Sequence, residues 1–118
     1  MGWQINYTDE YEVWWGLLDE ETQIAIATVI GLLEEVGPGL RRPHADTLHH
    51  TKQKNLRELR IQHKGEPWRV LYAFDPKRAA ILLVGGNKTG DDRWYDVNIP
   101  IAERLYAEHL ASLEKQEK

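Results

Sequence analysis

The chain has no cysteine. That excludes a disulfide framework and a thiolate metal centre, and it fits a reducing compartment. Lysine and arginine are missing from the first 40 residues, which hold eight acids. With no basic region ahead of an apolar run, the N-terminal segment does not read as a secretory leader. Long apolar stretches are missing as well. The longest, Ala79 to Val84, is far too short to span a bilayer, so no membrane association is expected and a cytoplasmic protein is. There is no His-x-x-x-His pair, and the adjacent histidines His49 and His50 lack the spacing of ligands on one helix face. The adjacent acids Asp91-Asp92 fall in an expected loop. Neither a metal site nor a cofactor is expected.

What is present is enough for one core. With 118 residues, 42% of them hydrophobic and 29% charged, a single domain over 1–118 is expected. The net charge of −4 argues against a polyanion binder, but its distribution argues for one. Residues 1–40 carry −8, residues 41–78 carry +6 and residues 79–118 carry −2. A basic middle in an acidic frame can form a local positive groove, since a field is set by nearby charges.

Trp3 to Tyr7 alternates apolar and polar and predicts a short first strand. Thr8 or Asp9 caps a short helix bearing Tyr11, Trp14, Trp15 and Leu18. Asp19 caps a second helix, with Ile24, Ala27, Ile30 and Leu33 at helical spacing, that stops at Gly37-Pro38-Gly39. Residues 40–55 show no period. Leu56 to Gln62 alternates as a strand, with Leu59 and Ile61 on one face and Glu58, Arg60 and Gln62 on the other. A turn over His63 to Pro67 leads to a strand from Trp68 to Phe74. Asp75-Pro76-Lys77-Arg78 turns into Ala79 to Val84, a strand buried on both faces and ended by Gly85-Gly86. Ile99-Pro100 opens a last helix with Ala102, Leu105, Tyr106, His109, Leu110 and Leu113 on one face. The expected class is α+β in the order β-α-α-β-β-β-α, a small, mostly antiparallel sheet packed on an N-terminal helical hairpin.

Three segments carry a family resemblance: Leu56-Arg57-Glu58-Leu59-Arg60, Trp68 to Pro76, and Leu82-Leu83-Val84-Gly85-Gly86-Asn87-Lys88-Thr89-Gly90. With the pattern of the last helix, from Ile99 to Leu110, they resemble phage-derived, HigB-like toxins of the RelE/ParE superfamily. The resemblance covers nearly the whole chain in the expected order. It implies a half-barrel sheet backed by the helical hairpin, cleavage of mRNA on the ribosome, and a helix-turn-helix, HigA-like antitoxin as partner. DNA would be met only through that antitoxin. The superfamily also holds ParE-type toxins that act on DNA gyrase and cut no RNA, and binding-only descendants, so the fold alone leaves these alternatives open.

Metal-independent RNA cleavage needs a group to take the 2′-OH proton, a group to protonate the leaving 5′-oxygen, and cations for the phosphorane charge. Guanidinium groups suit the last role, because they stay charged and grip two phosphate oxygens. Arg60 and Arg69 match the positions where the resemblance places basic catalytic residues, and they lie on adjacent antiparallel strands. As plain sheet-surface arginines they would instead pair with Glu58, Glu66 or Asp75. Lys88 follows the glycines and could touch phosphate or move a proton. Tyr95 is a candidate proton donor or phosphate ligand. His63, at the end of the Arg60 strand, offers the natural acid–base group at neutral pH, though it also reads as an exposed turn histidine. Gly86-Asn87-Lys88-Thr89 lacks the upstream glycine spacing and following helix of a triphosphate loop. Lys52, Lys54, Arg57 and Lys64 are expected to contact RNA phosphates, and Trp94 either stacks on a base or packs in the core. No residue stands out as the general base.

Overall fold

The computed structural model describes residues 2–49, 51–52 and 55–116. The alternation at the N-terminus becomes β1 (Gln4–Tyr7), followed by α1 (Asp9–Gly16) and α2 (Glu20–Val36). Thr8 accepts a hydrogen bond from the Tyr11 amide and Asp19 from the Thr22 amide, so both expected caps form. α2 ends at Gly37, whose φ of 67° suits a residue without Cβ, and a 3-10 turn covers Gly37–Gly39. Then come β2 (Ala45–Thr47), β3 (Leu56–His63), β4 (Glu66–Phe74), β5 (Ala79–Asn87) and α3 (Trp94–Gln116). The sheet runs β1-β5-β4-β3-β2, with β1 parallel to β5 and the other pairs antiparallel.

Strand alternation gives the sheet two apolar faces. Leu59, Ile61, Val70, Tyr72, Ala80 and Leu82 pack against the helical hairpin through Tyr11, Ile26, Val29 and Leu33. Leu56, Leu71, Ala73, Ile81, Leu83 and Val84 pack under α3 through Trp94, Ala102, Leu105 and Tyr106. The acidic N-terminal 40 residues therefore supply the helical layer on one side of the sheet.

Four details differ from expectation. The aperiodic stretch contains β2, three residues paired to β3; so short an edge strand leaves little alternation to read. The turn after β3 is only Lys64-Gly65, both at positive φ, closed by the pair His63–Glu66. That two-residue geometry suits the right-handed twist of a hairpin. On α2 the buried stripe is Thr22, Ile26, Val29 and Leu33, while Ile24 and Ala27 face outward. The helix carries two apolar stripes, and only packing decides between them. Finally, α3 begins at Trp94, with Asp91 accepting the Arg93 amide, so Pro100 lies within the helix near its start. Proline removes one backbone donor there, and Asp91 rather than proline marks the true entry.

β5 also runs past its glycines because of an irregularity that positions the site. Leu71 pairs with Val84 and Tyr72 with Leu82, which leaves Leu83 without a partner opposite. Such a bulge shifts the alternation by one residue. The Thr8 hydroxyl donates to the Leu83 carbonyl at 2.7 Å and helps hold it. Beyond the bulge, Gly85 faces the Trp14 ring and Gly86 faces the Trp94 ring, each so closely that a Cβ would overlap the indole. Gly86 thus seats Trp94, and with it the first turn of α3, on the sheet. Gly86→Ala is expected to destabilise the protein by about 1–3 kcal/mol through overpacking, read as a lower urea midpoint at unchanged slope. An unchanged midpoint would refute the close indole packing.

Candidate active site

The two-residue turn sets the β3–β4 register, and the register puts Arg60 directly opposite Arg69. Both side chains leave the sheet on the α3 side. Two residues before Arg60 on the same face stands Glu58, whose side chain is only 6% exposed. Its Oε2 pairs with Arg60 Nη1 at 2.9 Å. Its Oε1 lies 3.6 Å from Arg69 Nε and accepts a hydrogen bond from the Tyr95 hydroxyl at 2.6 Å. Arg69 Nε in turn donates to the Tyr95 hydroxyl at 3.3 Å, and its Nη1 donates to the Trp68 carbonyl. Arg69 is nearly buried, while Arg60 remains 25% exposed. Lys88 follows β5 and holds its ammonium over the Tyr95 ring, 5.6 Å from the centre.

Part of the cluster faces a groove of about 620 Å³ between β2, β3 and the start of α3. Glu58, Arg60 and Tyr95 line it, with Lys52 and Arg42 among the cations and Asp46, Asp96 and Glu103 among the acids around it. One carboxylate, one phenol and two guanidinium groups linked through Glu58 and Tyr95 form a set with the chemistry to bind a phosphodiester and to accept a proton.

The profile of the phage-derived protein Gp49-like family matches residues 13–107. Over 116 residues the chain is 41% identical to a Mycobacterium tuberculosis protein bearing the toxin name HigB2, covering 97% of this chain and 57% of that protein. The chain thus spans little more than half the length of that relative. It is 43% identical over 104 residues to a second from the same organism, bearing the toxin name HigB3, covering 87% of this chain and 90% of that one. The chain belongs to the Gp49-like family. Its sequence is HigB-like, in that both of these relatives bear HigB names. Its fold is that of solved RelE structures. A mutant of Escherichia coli toxin RelE in the free state superposes with a TM-score of 0.57 at 11% identity, covering 78% of this chain and 90% of that chain. The toxin–antitoxin complex RelBE2 of M. tuberculosis gives 0.55 at 13% identity, covering 74% and 99%.

Within this HigB-like fold the expected site residues divide into groups. Arg60, Arg69, Lys88 and Tyr95 come together. His63 does not: as an odd-numbered residue of β3 it shares the face of Leu59 and Ile61, across the sheet from Arg60, and its Nε2 is buried. Arg57 has the same parity. Its Nε donates to the Tyr72 hydroxyl at 3.2 Å and its Nη2 to the Leu40 carbonyl at 2.9 Å, tying β3 to the end of α2. Lys64 sits in the hairpin turn, ion-paired with Glu21 of α2 and so turned toward the acidic helices. Trp94 is buried under α3 against Gly86 and offers no face for base stacking. Lys52 lines the groove, its amide bonded to Glu103, and Lys54 lies outside the described residues. Glu58 is the residue that sequence reasoning treated only as a possible ion-pair partner. Its signal was an acid in the middle of an otherwise core-forming strand, on the same face as Arg60.

The phenol of Tyr95 is raised above its ordinary value of 10.0, first by burial and next by the hydrogen bond it donates to Glu58, while Arg69 pulls the other way. Burial likewise raises Tyr72 and Tyr106. An acid whose folded value lies above its unfolded one contributes stability that is fully present below the unfolded value and lost as pH rises through the folded one. Stability is therefore expected to fall above about pH 10 as these phenols ionise. Tyr95→Phe should make that fall shallower, as measured by melting temperature against pH. Identical alkaline slopes for the two proteins would refute the raised Tyr95 value.

Proposed function

We propose that the protein is the toxin of a toxin–antitoxin system and acts as a ribosome-dependent mRNA endoribonuclease in the cytoplasm, with a helix-turn-helix, HigA-like antitoxin as its partner. The observation that carries this reading is the Glu58 carboxylate held between Arg60 and Arg69 and fixed by Tyr95. Relatives bearing the toxin names HigB2 and HigB3, and the RelBE2 toxin–antitoxin complex, support the toxin role and the partner.

In this mechanism the scissile phosphate enters between the two guanidinium groups, which displace part of their pairing to Glu58 and neutralise the charge that develops on phosphorus. Glu58, freed from Arg60, accepts the proton of the ribose 2′-OH. The 2′-oxygen forms a bond to phosphorus and the bond to the 5′-oxygen breaks. The products are a 2′,3′-cyclic phosphate and a 5′-hydroxyl. Tyr95 keeps the carboxylate aimed, and Lys88 supplies the proton to the leaving 5′-oxygen. The ribosome holds the mRNA in the in-line geometry that an open groove cannot impose alone.

Induced expression followed by primer extension should reveal new mRNA ends. Glu58→Gln keeps the shape and the hydrogen-bond acceptor but removes the base, and cleavage should fall by about 10²–10⁴-fold. Arg69→Ala should act in the same direction, with circular dichroism verifying that both variants fold. Growth arrest with intact mRNA and inhibited gyrase would overturn the nuclease reading in favour of a ParE-type toxin.

A further inference from the structure

The segment between α2 and β2 carries two adjacent arginines that the cleavage mechanism does not use. Arg42 borders three concavities at once. One is the groove over Glu58. The second, of about 480 Å³, is lined by Arg42, Pro43, Arg60, Gln62 and Arg69, so three guanidinium groups and no carboxylate meet there among the described residues. The third, also about 480 Å³, lies around the β2 edge and is lined by Arg41, Arg42 and Arg57 together with Asp46. The basic surface therefore does not end at Arg60 and Arg69. It turns the corner at Arg42-Pro43 and continues on the far side of β2.

We propose that this arginine track binds the phosphate backbone of the single-stranded RNA segment that runs on from the scissile phosphate, over the short β2 edge. The inference rests on the cleavage reading above and extends it to residues outside the reacting centre. Three observations carry it. Guanidinium groups bridge consecutive phosphates without reading bases, which suits a strand whose sequence varies. The concavity shared by Arg42, Arg60 and Arg69 has no acid among its described lining residues; Asp46 and Glu58, which pair with these arginines, lie outside that lining. Arg41 and Arg42 are exposed, and Arg42 pairs with Asp46 at 2.7 Å while keeping 66% of its side chain in solvent. An exposed pair of this kind is readily exchanged for a phosphate. Arg57 contributes from a fixed position, its Nε and Nη2 already committed to Tyr72 and Leu40.

The test uses 2′-O-methyl RNA, which cannot be cleaved, as a trinucleotide and a decanucleotide, with binding read by fluorescence anisotropy at low ionic strength. Arg41→Ala with Arg42→Ala should weaken decanucleotide binding on the order of tenfold and lower its log–log salt slope by about 1.4, the value for two phosphate contacts on a single strand. Trinucleotide binding should be unchanged. Arg104→Ala with Lys115→Ala, on the exposed side of α3, removes the same charge and should change neither. Equal losses in both double variants would overturn the track in favour of a general charge effect. Equal loss on both oligonucleotides would also overturn it, placing Arg42 in the reacting centre. Unchanged decanucleotide binding, with binding still lost in Arg69→Ala, would remove the track and leave the cleavage reading standing. Binding that depends on Arg41 and Arg42 but not on Arg69 would do the reverse. A wild-type protein that binds neither oligonucleotide would overturn the track and leave the ribosome-dependent cleavage reading to its own test.

Discussion

Two positive charges fixed opposite each other on neighbouring strands repel, and the repulsion between Arg60 and Arg69 must be cancelled inside the fold. Glu58 does this with one oxygen toward each arginine. Because the carboxylate is almost fully buried, it would be costly alone and is tolerable only with both partners and the Tyr95 hydroxyl in place. On the proposed reading, the arginines that Glu58 holds in the free protein are the ones that turn to a phosphate when substrate binds.

The rest of the architecture keeps that arrangement in register. Lys64 and Gly65 fix the strand pairing through a turn that only two residues at positive φ can make. On the other side, the Leu83 bulge turns Gly86 toward α3, Trp94 settles on Gly86, and Tyr95 follows Trp94 directly along the chain. The Tyr95 hydroxyl reaches Glu58 because the indole of the preceding residue meets no Cβ at Gly86. The Thr8 hydroxyl, which bonds the Leu83 carbonyl and caps α1, links this chain of dependence to the helical hairpin.

Much of the fold was legible in the residues. Strong alternation from Leu56 to Gln62, a buried apolar run at Ala79 to Val84 and caps at Thr8 and Asp19 each correspond to a formed element. What escaped was either too short for a period, as in Ala45–Thr47, or decided by packing, as in the choice between the two apolar stripes of α2. In the site, the approach of Arg60 to Arg69 followed from pairing, but His63 and Arg57 were placed with Arg60 although their odd numbers put them on the opposite face of β3. Strand parity alone held that information. The role of Glu58 was harder to read, because an acid between leucines on a strand looks like an ordinary solvent-facing position until α3 is known to cover it. Trp94 shows the same difficulty in reverse: an indole beside a basic strand suggests stacking, and only the depth of Gly86 reveals that it is packed.

The sheet separates a helical layer built from a segment without a single lysine or arginine from a face and edge bearing Arg41, Arg42, Arg60 and Arg69. The net charge of −4 is thus unevenly distributed, and the molecule carries a dipole as well as a monopole. A polyanion repels the monopole but exerts a torque on the dipole, and the torque grows as the surfaces come within a Debye length, about 8 Å at physiological ionic strength. For the proposed RNA substrate this filters the encounter by orientation, disfavouring collisions that present the helices and favouring those that present the arginines. An overall negative charge in this fold sharpens the angle of approach instead of forbidding it.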